Sequence, residues 1–225
     1  MRFYFTKFGL PQLVIFPCVV VFLMFQSFIF LRNSLCFVFV EIVLFLLLLW
    51  IFSFFRDPKR NIVKDENILY SPADGVITGV DLVEESPLEC KALRVGVFLS
   101  LFNVHINRAP CSARVDAVLY KKGAFKNAAS KDAGEVNESN NVFMTRASEP
   151  FCKILVRQIS GVAARHIVCR AKAGSEYSQG EKFGMIKFGS RTELYIPADG
   201  DFSYKVLIKK GDVVKAGTTP LIVFK

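Results

Sequence analysis

Histidine is scarce in this chain: there are two in 225 residues. The six cysteines stand far apart and form no C-x-x-C pair. Together these scarcities argue against a zinc site, whose ligands come in closely spaced pairs. The cysteines read instead as reduced, mostly buried thiols facing a cytoplasm. No Lys/Arg run is longer than a pair and no aromatic-basic motif occurs, so nucleic acid is a poor partner despite a net charge of +9. Residues 1–55 carry Arg2, Lys7 and Arg32 against Glu41, so most of the positive excess belongs to the remainder. A basic excess beside an apolar anchor suits anionic lipid headgroups.

Long apolar runs, by contrast, are present. Residues 10–31 are almost wholly apolar, interrupted by Pro11, Pro17, Gln26 and Ser27. Arg32-Asn33-Ser34 follows, and then a second run over 35–55 with one charge, Glu41. Each run is about 20 residues, enough to cross a hydrocarbon core of ~30 Å as a helix. The short polar turn predicts a helical hairpin, residues 1–55 being a membrane anchor. Arg2 and Lys7 before it, and Arg56, Lys59 and Arg60 after it, place both ends in the cytoplasm by the positive-inside rule. A cleaved signal peptide is the alternative for the first run, although no small-residue cleavage site follows it. A re-entrant hairpin is another, because Arg32 is costly to carry across a bilayer.

From residue 56 onward the pattern is β. Short strands are predicted over 76–80, 93–99, 115–120, 141–146, 153–158 and 166–170, with a brief helix over 160–165. Short strands separated by turn residues predict a mainly β domain, a barrel or sandwich, spanning residues 56–225. Pro72-Ala73-Asp74-Gly75 recurs as Pro197-Ala198-Asp199-Gly200. Both are turn sequences: proline presets φ, and Asp and Gly accept the tight conformation.

The chemistry gathers around Met185-Ile186-Lys187-Phe188-Gly189-Ser190-Arg191. A serine hydroxyl beside a strained peptide can attack the preceding carbonyl in an N-to-O acyl shift. Elimination from the ester leaves a pyruvoyl group on the new amino terminus. Alone, Gly-Ser is an ordinary turn pair. Ser190, His105 and Asp74 supply the types of a nucleophile, a base and an orienting carboxylate, and such sets are recognised by geometry rather than by order. Taken singly, His105 also fits a hydrogen-bonded structural residue and Asp74 a turn residue. Asp199 competes for the role of Asp74. Lys126, Asn127, Asn137 and Glu138 form a polar loop of the kind that is usually solvated.

Four segments in order raise those odds: Ser71-Pro72-Ala73-Asp74-Gly75; Phe102-Asn103-Val104-His105-Ile106-Asn107-Arg108-Ala109-Pro110; Gln158-Ile159-Ser160-Gly161-Val162-Ala163-Ala164-Arg165; and Gly180-Glu181-Lys182-Phe183-Gly184-Met185-Ile186-Lys187-Phe188-Gly189-Ser190-Arg191. Together they resemble the phosphatidylserine decarboxylase family in its short form with an amino-terminal anchor. The resemblance runs from about residue 56 to the end. It implies cleavage between Gly189 and Ser190 into chains of 1–189 and 190–225 that stay together. Ser190 would become the pyruvoyl cofactor, with His105 and Asp74 as its triad partners and no metal. A Schiff base to phosphatidylserine would then release CO2 and leave phosphatidylethanolamine, at the cytoplasmic face of the membrane. Longer family members have a second histidine where this chain has Phe102, and His166 has no assigned role. The carboxyl-terminal hairpins also resemble biotinyl and lipoyl carriers, which implies an exposed hairpin tip at Gly189-Ser190. A carrier-like or scaffold module on an anchor is therefore the rival reading. The sequence leaves homo-oligomer formation open.

Overall fold

The computed structural model describes residues 4–84, 86–128, 130, 133–162, 167–187, 189–199 and 202–225. The chain divides into two compact units, Met1–Lys59 and Arg60–Lys225.

The first unit is a helical hairpin. Thr6 caps a short 3-10 turn, Lys7–Gly9, its hydroxyl accepting from Phe8 N at 3.3 Å. Helix α1 (Leu10–Leu31) follows, with Pro11 in its first turn, where a missing N–H costs nothing. Helix α2 (Phe37–Phe54) returns. At 1.5 Å per residue they are about 33 and 27 Å long, which matches a bilayer core. Most of their large apolar side chains are exposed, as a lipid-facing surface requires. The two ends are tied together: Thr6 N donates to Phe55 O (3.0 Å) and Asp57 N to Tyr4 O (2.6 Å). Both ends of the hairpin therefore leave on the same side.

The second unit is mainly β. Its strands are β1 (Ile68–Tyr70), β2 (Gly75–Val83), β3 (Ala92–Leu99), β4 (Ile106–Arg108), β5 (Ala113–Lys121), β6 (Ser139–Arg146), β7 (Lys153–Ser160), β8 (Ile167–Cys169), β9 (Glu176–Tyr177), β10 (Lys182–Ile186), β11 (Ser190–Pro197), β12 (Tyr204–Val206), β13 (Val213–Val214) and β14 (Pro220–Phe224), with one helical turn, α3 (Ala133–Val136), before β6. An eight-stranded antiparallel sheet runs β13-β2-β3-β11-β7-β6-β5-β9. Two three-stranded sheets, β4-β10-β8 and β1-β14-β12, complete the unit.

Period-2 alternation explains the core. Val95, Val97 and Leu99 of β3, Leu194 and Ile196 of β11, Ile154 and Val156 of β7, and Val142 and Met144 of β6 all point to one face, where they meet Phe183, Leu221 and Ile222. Each such side chain contributes about 1.5–3 kcal/mol on burial.

The strands expected over 76–80, 93–99, 115–120, 141–146 and 153–158 lie within β2, β3, β5, β6 and β7. The helix expected over 160–165 does not form where the chain is described. Ser160 is the last residue of β7, paired with Ser190, and Gly161 and Val162 are not helical. Pairing with a central strand outweighs the weak local helix preference there. Residues 163–166, including His166, lie outside the described residues.

Candidate active site

Strand β11 is central in the large sheet, between β3 and β7. Its first residue, Ser190, pairs with Leu99 on one side and Ser160 on the other. It is fully buried, and its Oγ has no hydrogen-bond partner among the described residues. An unpartnered buried hydroxyl costs free energy.

The hairpin tip expected from the likeness to carrier proteins is not what this segment forms. Strand β10 pairs with β4 and β8 in one sheet, whereas β11 pairs with β3 and β7 in another. The peptide between Gly189 and Ser190 thus belongs to a crossing between sheets. Gly189 has φ +65°, a conformation that strains any residue with a β-carbon. Its carbonyl oxygen lies against Gly161, where a β-carbon would overlap it.

His105 immediately precedes β4 and is fully buried. Its carbonyl accepts from Ile186 N (3.2 Å) at the end of β10, four residues before Ser190. Its Nδ1 lies 2.9 Å from the carbonyl oxygen of Asn103. A carbonyl can only accept, so Nδ1 carries the proton and Nε2 keeps the lone pair of a base. Asn103 is itself fixed, its Oδ1 accepting from Ser100 N and Ser100 Oγ, both at 2.8 Å.

Asp74 sits in the turn between β1 and β2. Its Oδ2 receives Arg60 Nη2 at 2.6 Å and its Oδ1 receives Ala216 N at 2.8 Å. That turn touches β4: Arg108 N donates to Pro72 O at 2.9 Å. Val76 pairs with Phe98, and Phe98 with Arg191. Asp74 is therefore at the same end of the sheet as Ser190, about 10 Å across two strand spacings. Asp199 follows the far end of β11, about 23 Å along the strand from Ser190 at ~3.3 Å per residue. The register separates the two turn copies that sequence alone leaves equivalent.

Several site residues escape sequence reading. A buried amide relay runs beneath Ser190: Asn140 Nδ2 donates to Gln158 Oε1 (3.1 Å), Gln158 Nε2 to Asn107 Oδ1 (2.8 Å), and Asn107 Nδ2 to Thr192 Oγ1 (2.9 Å). The only signal in the sequence was an amide or hydroxyl at alternate positions of apolar strands. Asn137, expected in a solvated loop, is fully buried and donates to Ser160 O and Lys126 O, both at 2.8 Å. Burial holds the Lys187 ammonium below the usual lysine range. On the opposite face of β11, Glu193 meets Arg191 (2.7 Å) and accepts from Tyr195 OH (2.6 Å). Burial, and then the Glu193 charge, raise the Tyr195 phenol above its ordinary range.

Asp74 and Ser190 thus lie at one end of the large sheet, and His105 is hydrogen-bonded to the end of the strand that leads toward Ser190. A profile of phosphatidylserine decarboxylases matches residues 47–221. A phosphatidylserine decarboxylase proenzyme of Carboxydothermus hydrogenoformans is 42% identical over 179 residues, covering 79% of this chain and 81% of that protein. Proteins of the same description from Pelagibacter ubique (39% identical, covering 81% and 84%) and Magnetococcus marinus (38%, covering 81% and 81%) are similar to it. The match over most of both lengths, on a chain whose buried serine follows a left-handed glycine, leads to one conclusion: this chain belongs to the phosphatidylserine decarboxylase family.

Proposed function

We propose that the chain is the precursor of a pyruvoyl-dependent phosphatidylserine decarboxylase. It cleaves itself between Gly189 and Ser190, and converts phosphatidylserine to phosphatidylethanolamine and CO2 at the cytoplasmic face of the membrane. Residues 10–55 hold it there, and residues 56–225 form the catalytic part. The observation that carries this reading is Ser190 itself: a fully buried hydroxyl without a partner among the described residues, directly after a glycine with φ +65°. The description of the relatives as proenzymes supports a chain made to be processed.

The cleavage balances on this chain's own atoms. Ser190 Oγ gives its proton to His105 Nε2 and attacks the Gly189 carbonyl carbon. The C–N bond breaks and Ser190 N takes the proton, leaving an ester. Removal of the Ser190 Cα proton expels the Gly189 carboxylate from Cβ, which ends the chain 1–189. Water then replaces nitrogen at Cα, and ammonia leaves. Gly161 keeps the attacked carbonyl in place, and Asn103 keeps the proton on His105 Nδ1, so that Nε2 is the base. Asp74 braces the adjoining turn through Arg60 and Ala216 N.

The residues present fit the pyruvoyl group, since Ser190 opens a central strand at a buried end of the sheet. When formed, that group supplies a carbonyl that takes up the substrate amine and accepts the electrons of the breaking C–C bond. Lys187, buried three residues before it, suits the anionic headgroup.

Intact mass of the protein purified in detergent tests the reading. Two chains are expected, split after Gly189. The short one is about 17 Da lighter than a serine start would make it, the loss of ammonia that turns an amine into the keto end of a covalent electron sink. A single chain of 25.3 kDa would overturn it.

A further inference from the structure

The face of β11 opposite Ser190 Oγ carries a second polar site that the cleavage chemistry does not use. Thr78 is the extra residue of a bulge between the Ile77–Val97 and Gly79–Gly96 pairs. The bulge turns its hydroxyl over Gly96. A β-carbon at Gly96 would lie 2.6 Å from Thr78 Oγ1 and 3.4 Å from Arg191 Nε, so the hydroxyl and the guanidinium converge above a floor without a side chain. Arg191 is 6% exposed. Its Nη2 meets Glu193 at 2.7 Å and its Nη1 donates to Ser130 O at 3.3 Å, yet its Nε has no hydrogen-bond partner among the described residues. Arg94 Nε and Thr78 Oγ1 are likewise buried and unpartnered among the described residues. All three side chains line a cavity of about 1060 Å³, together with Lys209, Lys210 and Asp81.

Orphaned buried donors are costly to leave unpaired. Here they are grouped on residues that line one cavity, where Arg94 Nη2 meets the single carboxylate of the wall, Asp81, at 3.3 Å and the cations outnumber it. Donors that approach from a hydroxyl, two guanidinium groups and two ammonium groups match a tetrahedral oxyanion better than a planar carboxylate.

We propose that this cavity is a phosphate-binding site, taking either the phosphate of an anionic lipid headgroup or free inorganic phosphate. It lies on the face of the sheet away from Ser190 Oγ. It is nevertheless coupled to the cleavage position through Arg191, which is peptide-bonded to Ser190.

The test is a calorimetric titration of inorganic phosphate into the full-length protein in uncharged detergent at low ionic strength. Saturable binding is expected in the processed protein and in Ser190→Ala alike, so the result is independent of the decarboxylase reading. Arg94→Gln and Gly96→Ala should each weaken binding at least tenfold. The double change Lys209→Gln/Lys210→Gln alters only exposed lysines and should also weaken it severalfold, which covers failure of the other variants to fold. Lys205→Gln, outside the cavity, should bind as wild type. Competition with dihexanoyl phosphatidylglycerol separates the sources: displacement identifies a headgroup site, and lack of displacement identifies a free-phosphate site. Absence of saturable binding, or affinity unchanged in both Arg94→Gln and the double lysine variant, would overturn the proposal.

Discussion

The Gly189 carbonyl oxygen and the α-carbon of Gly161 are packed so closely that no β-carbon fits between them. Gly161 directly follows β7, whose last residue pairs with Ser190, so the contact is set by the sheet register. Gly161→Ala should fold, because Gly161 lies beyond the paired residues of β7, but it must push the attacked carbonyl away from Ser190 Oγ. A misplacement approaching 1 Å costs roughly 100-fold in rate for a reaction between positioned groups. Time courses of chain cleavage after cell-free synthesis, read on gels, would show this. Wild-type rates in the variant would mean that the contact is packing alone.

The contact between His105 Nδ1 and Asn103 O places the proton on Nδ1, so that Nε2 is the nitrogen able to serve as the base in the proposed cleavage. His105→Ala should slow self-cleavage by about 10²–10⁴, the usual contribution of a general base. Asn103→Ala keeps the carbonyl but removes the side chain that holds Ser100 N and Ser100 Oγ. Its effect should be smaller, about five- to tenfold, as befits the loss of one or two neutral hydrogen bonds. The two rate constants come from the same cleavage assay. Equal effects would place the importance in the turn rather than in the ring.

Asp74 and Asp199 occupy equivalent sequence copies and unlike places. Asp74→Asn leaves Arg60 without its anionic partner in a pair whose side chains are only 11% and 10% exposed. Breaking such a pair from one side costs about 3 kcal/mol. The melting temperature should fall by roughly 6–12 °C. Cleavage, followed well below both melting temperatures, should also slow. Asp199→Ala, at an exposed turn, should match wild type in both measurements. A cleavage defect in Asp199→Ala would contradict the register argument.

Much of this was legible in the sequence, and the exceptions have physical reasons. The helical hairpin and the strands around Val95, Val142 and Ile154 announce themselves by apolar runs and alternation. Strand β11, the central one, does not. It opens Ser190-Arg191-Thr192-Glu193, a run of buried polar residues whose partners lie on other strands and cannot be seen from within it. For the same reason the Asn140–Gln158–Asn107–Thr192 relay was invisible, although the motifs containing Asn107 and Gln158 were singled out. At Ser160, where the expected short helix would begin, strand pairing with Ser190 overrides the local preference. The choice between Asp74 and Asp199 needed a register, which only the folded chain supplies.

The amide relay should matter for stability whatever its part in chemistry. Gln158→Leu preserves approximate volume but strips Asn140 and Asn107 of their shared partner in a buried setting. Two buried amides left unpaired cost about 2–6 kcal/mol in all. The thermal midpoint should fall by roughly 5–20 °C. A change under 2 °C, about 1 kcal/mol at most by the same scaling, would mean that water or another side chain reaches the relay.

Cys111 gives the fold a dependence on alkaline pH. Burial pushes its thiol up to about 12, and Cys152 is raised for the same first reason. Both should resist iodoacetamide at pH 8 in the folded protein and react once it is unfolded, since only the thiolate attacks. A raised folded pKa favours the neutral thiol in the native state. The associated stability is complete below the unfolded value of about 8.5 and is lost as pH rises toward the folded one. Between pH 8.5 and 10.5 the group should remove roughly 2–3 kcal/mol, at 1.36 kcal/mol per unit. Other groups titrate in that window, so the decisive quantity is a difference. Urea midpoints of wild type and Cys111→Ala should converge as pH rises from 8.5 to 10.5. Parallel curves would show that the native site accepts the thiolate.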